Sequence, residues 1–410
     1  MAKARVLIVE SGLGHGGSAI CLANALTRLD RGSFDPMVAF YSDGRELHGV
    51  ERLGVPVVRV RPRDSRRMGV LERPAEERGR LRSQALMGRH LLAEVLPHVP
   101  TFARLFRSQR VDLVHLNSGI IGTLAALLGA RLTGVPVLCH HRLSRTLQRL
   151  ERLAARWVDF FVPVSLAALE GLRASGIPGG RMHVIYDGLE PDRFAAARGA
   201  RDGTRRGLDV PPRACLVGTV ARLARVKGQL ELLRAAPAVL REAPEAHFVL
   251  VGDAAPEERA YEAELHRFVA DRGLGGRVTF AGYRADVPEV TAALDVAVQP
   301  SLYCEGQGMA AVEAMMLGVP LVVTESGALP ETVGRDGGGF IVPPGDPGAM
   351  AAAIVCLLRD PARAAAMGEA ARLRAHQVFS LEATVAELEK VYARVLERRR
   401  TRPKPRGVRR

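Results

Sequence analysis

Short, almost unbroken apolar runs alternate with helix-patterned segments along nearly the whole chain, in two successive rounds. The first round holds Val6-Leu7-Ile8-Val9, Pro36-Met37-Val38-Ala39-Phe40 and the runs at 55–60, 111–116, 135–139 and 160–164. The second holds the runs at 215–220, 247–251, 277–280, 296–298 and 321–323. A strand with one wet face reads apolar and polar in turn, whereas an unbroken apolar strand is covered on both faces, as in a parallel sheet between two helix layers. At 410 residues the chain exceeds what one core usually serves. The expected fold class is therefore α/β, two doubly wound Rossmann-like domains facing across a cleft. A charged, glycine- and alanine-rich passage from Asp187 to Pro212 marks the seam and is expected to be a linker. The expected division is a first Rossmann-like domain over 1–190 and a second over 191–378. A helix over 379–399 would pack back towards the first domain, and a disordered basic tail would fill 400–410.

Ligands of such sheets bind where strands end and the topology reverses, so the turns after the strands carry the functional signal. The most telling is Glu305-Gly306-Gln307-Gly308-Met309-Ala310-Ala311-Val312-Glu313, which follows a buried strand and opens a helix. Unpaired amides at a helix start attract anions, phosphate above all. Two carboxylates beside a phosphate would repel it, so Glu305 and Glu313 are better suited to accept hydrogen bonds from the hydroxyls of a sugar or ribose.

Other turns fit the same ligand. Arg222 and Lys227 frame the loop Gly218 to Gly228, where two cations would clamp a diphosphate whose charge grows as it leaves. The turn Ser11 to Ser18, with Gly16 and Gly17, either approaches a phosphate or is simply a tight strand-to-helix turn. The turns at Gly252 and Gly282-Tyr283 offer backbone groups to a base edge. At Leu138-Cys139-His140-His141-Arg142, alternation sends the two rings to opposite faces, one buried and one facing the cleft, and further ligands for a metal are missing nearby. No metal site is expected.

Together these segments resemble the retaining glycosyltransferases of family 4, of the GT-B fold. The likeness rests on EGQGMAAVEAMMLGVPLVVT, similar to the family's E-x7-E signature, and on GTVARLARVKG, HVIYDGLEPDRF and SGALPETVGRDGGGFIVPPGD. It implies that Glu305 holds donor sugar hydroxyls and Glu313 the donor ribose. Arg222 and Lys227 would bind the diphosphate, helped by the amides of Gly308, Met309 and Ala310, the adjoining Gly306, and the Gly16-Gly17 turn. Three positions depart from the family pattern. Gln307 stands where an aromatic is common, and Ser18-Ala19 where an acid is frequent. Arg142 occupies the slot of the family's cleft histidine, leaving His140, on the same face, to share that role. The resemblance implies a nucleoside diphosphate sugar as co-substrate and no cofactor. An epimerase or phosphorylase on a similar scaffold, or a non-catalytic sugar-nucleotide-binding subunit of a membrane assembly, are the competing readings.

The formal charge of +14 comes mostly from arginine and gathers between Arg59 and Arg89 and in the tail from Arg398. Aromatics are not interleaved there, so nucleic acid is not expected as a partner; an anionic membrane surface, a glycan or lipid-linked acceptor, or water suits these arginines better. No run approaches the roughly 20 apolar residues of a membrane span, and the first strand begins at once, which points to the cytoplasm or the inner membrane face. Cys21, Cys139, Cys215, Cys304 and Cys356 lack metal-ligand spacing and are expected to be reduced core thiols.

Overall fold

The computed structural model describes residues 3–11, 17–40, 49–60, 88 and 90–401. The first half runs β1 (Ala4–Glu10), α1 (Gly17–Arg28), β2 (Phe34–Phe40), β3 (Val57–Arg59), α2 (Val99–Ser108), β4 (Leu113–Leu116), α3 (Leu124–Thr133), β5 (Val137–His141), α4 (Arg149–Ala155), β6 (Phe160–Pro163) and α5 (Leu166–Ala174). Next come α6 (Pro191–Ala197), α7 (Arg201–Gly207), β7 (Cys215–Val220), α8 (Gln229–Glu242), β8 (Ala246–Val251), α9 (Arg259–Asp271), β9 (Val278–Gly282) and α10 (Val287–Ala292). The chain closes with β10 (Val296–Gln299), α11 (Met309–Leu317), β11 (Leu321–Thr324), α12 (Leu329–Val333), β12 (Phe340–Val342), α13 (Pro347–Arg359), α14 (Pro361–Val378) and α15 (Leu381–Thr401).

Two sheets result, ordered β3-β2-β1-β4-β5-β6 and β12-β11-β10-β7-β8-β9, with parallel pairing throughout. The unbroken apolar strands are explained by their packing. In β1, Leu7 and Val9 join one core layer and Val6 and Ile8 the opposite one; in the second sheet Leu216 and Val217 divide in the same way. Each sheet reverses its order once, between β1 and β4 and between β7 and β10. Those two points fix where ligands can enter.

The passage after Asp187 is not the loose linker that its weak periodicity predicts. It folds into α6 and α7, and Phe194, Ala197, Leu208 and Val210 enter the core of the second sheet. Two seven-residue helices that bury one or two residues each leave little periodic signal. The strand β12 was also missing from the sequence expectation, because its three residues sit among glycines. At the chain's end, α15 lies on the first sheet, where Val385, Leu388, Val391 and Val395 join a core layer with α1. Tyr392 Oη there pairs with His115 Nδ1 at 2.7 Å.

Candidate active site

The loops after β7 and β10 flank the reversal point of the second sheet and bring the expected cations and carboxylate together. Lys227 Nζ donates to Glu305 Oε2 at 2.7 Å, and Ser301 Oγ donates to the same oxygen at 2.8 Å. Burial pushes the Glu305 carboxyl up, but Lys227, the Ser301 bond and the Arg222 charge together hold it below the usual carboxylate range. Arg222 is half-buried beside them, and its guanidinium forms no ion pair or hydrogen bond among the described residues. Glycines set this geometry. Gly228 (φ 70°) lies against the Pro300 carbonyl and Gly252 (φ 128°) against the Ala221 carbonyl, and a side chain at either position would overlap that backbone. Gly252 thereby seats the Arg222 loop, while Tyr283 stays half exposed one residue past β9.

Met309 and Ala310 begin α11, whose cap Gly308 (φ 84°) supplies no side-chain hydrogen bond to the first-turn amides. Facing it is the start of α1: a side chain on Gly17 would meet Met309 Cγ at 3.8 Å. Two helix N-termini, one from each sheet, therefore converge beside the Arg222 and Lys227 cations. Gly16 lies outside the described residues, as do the arginines at 61, 63, 66, 67, 73, 78, 80, 82 and 89 and the chain beyond 401.

Glu313 projects from the second turn of α11 and is partly buried. Burial drives its carboxyl up to about 7 against a partly opposing pull from Arg193. No hydrogen bond or ion pair engages it among the described residues. A carboxylate so placed is ready to accept from a hydroxyl.

The histidine expectation is corrected. Alternation does send His140 and His141 to opposite faces, but both faces of a parallel sheet are covered, so neither ring reaches the cleft: each is 3% exposed. His140 stacks on His115, with Nδ1 3.2 Å from His115 Nε2. Burial, aided by Arg142, drives His140 well below its ordinary value, and burial drives His115 to about 3 and His141 to about 4, so all three are neutral at pH 7. Arg142 is likewise occupied internally. Its guanidinium pairs with the Asp187 carboxylate and donates to Asn117 O at 3.1 Å and Asn117 Oδ1 at 3.0 Å. Of the cysteines, Cys21 and Cys139 are buried, while Cys215, Cys304 and Cys356 are only partly so; burial raises the Cys304 thiol, which disfavours the nucleophilic thiolate.

Two functional-looking groups escaped the sequence reading, and a third, Gln307, stood out there only as a departure from the family pattern. Glu10, buried at the end of β1, accepts from Asn117 Nδ2 at 2.5 Å and from the Ser118 hydroxyl. A carboxylate closing an apolar strand was its signal. Glu331 of α12 crosses to the first sheet and accepts from Leu166 N at 2.6 Å, Ala167 N at 3.1 Å and Tyr186 Oη at 2.7 Å, seating an anion on the N-terminus of α5. Gln307, buried, grips the backbone of Asp187. Among the described residues no cluster of three or more His, Cys, Asp or Glu is placed to hold a metal, and no helix is long and apolar enough to cross a membrane.

Residues 15–193 match the family model described as Glycosyltransferase Family 4, and residues 214–360 that described as Glycosyl transferases group 1. Among curated relatives, the GDP-mannose-dependent alpha-(1-6)-phosphatidylinositol monomannoside mannosyltransferase of Mycolicibacterium smegmatis is 31% identical over 305 residues, 69% of this chain and 78% of that protein. The 2-deoxystreptamine glucosyltransferase of Streptomyces kanamyceticus is 29% identical over 75% of this chain and 83% of its own length. The crystal structure of Anabaena HepE in complex with UDP and glucose superposes with a TM-score of 0.78 at 23% identity, covering 95% of this chain and 99% of that one.

Proposed function

Because the chain belongs to the family 4 glycosyltransferases and has their GT-B fold, we propose that it is a retaining, metal-independent enzyme that moves a hexose from a UDP- or GDP-sugar to an acceptor hydroxyl in cell-envelope or extracellular glycan synthesis. The observation that carries this reading is the unpaired Arg222 guanidinium at the reversal point, whose charge reaches the Glu305 carboxylate that Lys227 bonds. A diphosphate placed there meets two cations and first-turn amides. Lys227 keeps two donors after bonding Glu305, and Glu305 and Glu313 accept from the sugar and ribose hydroxyls. In the transfer, the bond from the anomeric carbon to phosphate breaks while the acceptor oxygen bonds to that carbon on the same face. The acceptor's proton passes to the leaving phosphate oxygen, and Arg222 and Lys227 stabilise the charge left on the diphosphate. His140, being buried, takes no direct part in this scheme.

Docking on the inner membrane face is part of the proposal. The outer face of α4 and the residues after it present Arg149, Arg152, Leu153, Arg156 and Trp157, all exposed, and the three arginines have no ion-pair partner among the described residues. Unpaired cations with an exposed leucine and tryptophan suit an anionic interface.

The deciding experiment is a calorimetric titration with UDP, GDP, ADP and their sugar conjugates, with Glu313→Ala as control. One nucleotide bound by the native chain and weakened in the variant supports the donor assignment. A folded protein that binds none of them would overturn it.

A further inference from the structure

The turn carrying Glu305 is flexible by composition, since Gly306 and Gly308 flank a single side chain, Gln307. That side chain is buried and bonded at both ends to the backbone of one residue of the other half: Asp187 N donates to Gln307 Oε1 at 2.7 Å, and Gln307 Nε2 donates to Asp187 O at 2.8 Å. The Asp187 carboxylate then pairs with Arg142 at the end of β5, and Arg142 holds Asn117, which holds Glu10 at the end of β1. Gly306 completes the contact, lying so close to the Arg142 carbonyl that no side chain would fit between them. On its own side the turn is fixed by Thr332 Oγ1 donating to Gln307 O at 2.5 Å and Ala328 N donating to Glu305 O at 2.9 Å.

We propose that Gln307 is a positioning residue that sets the register between the donor turn and the carboxyl edge of the first sheet, where the acceptor must approach. The inference rests on the transferase reading above. Gln307 bonds to Asp187 and not to Arg222 or Lys227, so the cation clamp on the diphosphate forms without it. What depends on it is how the sugar held by Glu305 is aimed. Misplacing reacting groups by about 1 Å can cost on the order of 100-fold in rate.

The test compares Gln307→Met, which keeps the bulk and loses both hydrogen bonds, with Gln307→Glu, which retains an acceptor for the Asp187 amide. Transfer rate, donor KM, donor Kd by calorimetry and amide exchange over residues 305–310 are measured on the full chain. The expected result is that Gln307→Met lowers kcat by about 10- to 100-fold, leaves donor Kd within about threefold and speeds exchange in the turn, with Gln307→Glu in between. An unchanged kcat with unchanged exchange would overturn the proposal, as would a loss confined to thermal stability or an equal loss of donor affinity. Should the native chain bind a donor and transfer nothing, the functional reading fails alone. The positioning role is then judged by exchange: faster in Gln307→Met supports it, unchanged refutes it.

Discussion

Lys227 and Glu305 form a 2.7 Å ion pair whose carboxylate is only 11% exposed, and the ammonium is the largest of the influences that hold this buried carboxyl below its usual range. The pair ties the loop after β7 to the turn after β10 across the reversal point of the second sheet. Removing Lys227 therefore loosens Glu305 and, on the proposed reading, takes away a cation for the leaving group. Lys227→Met is expected to lower kcat by about 100- to 1,000-fold, the loss of roughly 2.7–4 kcal/mol seen when one charge-stabilising donor is deleted. Steady-state turnover on the donor identified by titration measures it, and near-native kcat would rule out the diphosphate clamp.

On the proposed reading, the Glu313 carboxyl, raised by burial to about 7, is expected to make donor affinity pH-dependent. Ionised, it accepts from ribose hydroxyls more strongly than when protonated, so donor affinity is expected to rise between pH 6 and 8 and then level off. Binding at pH 7 should release a fraction of a proton. Titrations in buffers of differing ionisation enthalpy report that number directly, and Glu313→Gln should abolish both effects.

The same group carries a stability signature of opposite sign. A carboxyl whose folded value lies above its unfolded one contributes stability below the unfolded value and loses it as pH rises through the folded value. Glu313→Gln is thus expected to gain stability relative to the native chain as pH climbs from about 4.5 to 8, by about 1–3 kcal/mol. Denaturant melts at the two pH values decide this, and a constant difference would show that the carboxyl is not buried at cost.

Gly228 combines a left-handed backbone with contact against the Pro300 carbonyl. Gly228→Ala is expected to destabilise by at least about 1–2 kcal/mol from the backbone conformation alone, with more from the overlap. Thermal unfolding would register it, and nucleotide affinity should fall because the Lys227 loop must move. An alanine accepted without loss in either would mean the loop is laxer than its contacts imply.

Trp157 is the chain's one tryptophan, so its emission reports a single place. Vesicles containing anionic phosphatidylglycerol are expected to shift that emission to the blue, phosphatidylcholine vesicles are not, and added salt should reverse the shift. Arg152→Ala with Arg156→Ala should weaken it. A chain that neither shifts nor co-sediments with anionic vesicles would remove the membrane proposal.

Much of the architecture was legible because parallel strands buried on both faces announce themselves as unbroken apolar runs. The turn chemistry was legible for a similar local reason, since Gly228 and Gly252 are needed where backbones approach closely and Gly308 where the chain turns left-handed. What escaped depends on contacts distant in sequence. The burial of His140 follows from His115 and Tyr392, respectively 25 and 252 positions away, and no pattern within β5 contains them. Gln307 reads as a polar residue in a turn until the backbone of Asp187, 120 positions earlier, is brought against it. Glu331 gains meaning only from the N-terminus of α5. The residues that join the two halves were hidden because each half is coherent without the other.

The meeting of Gly17 with Met309 has an electrostatic consequence. Both helix starts carry partial positive charge, and Arg222 and Lys227 add to it. On the proposed reading, the diphosphate of the donor is the counter-ion shared by both helix starts, so that the substrate serves as mortar between the two halves.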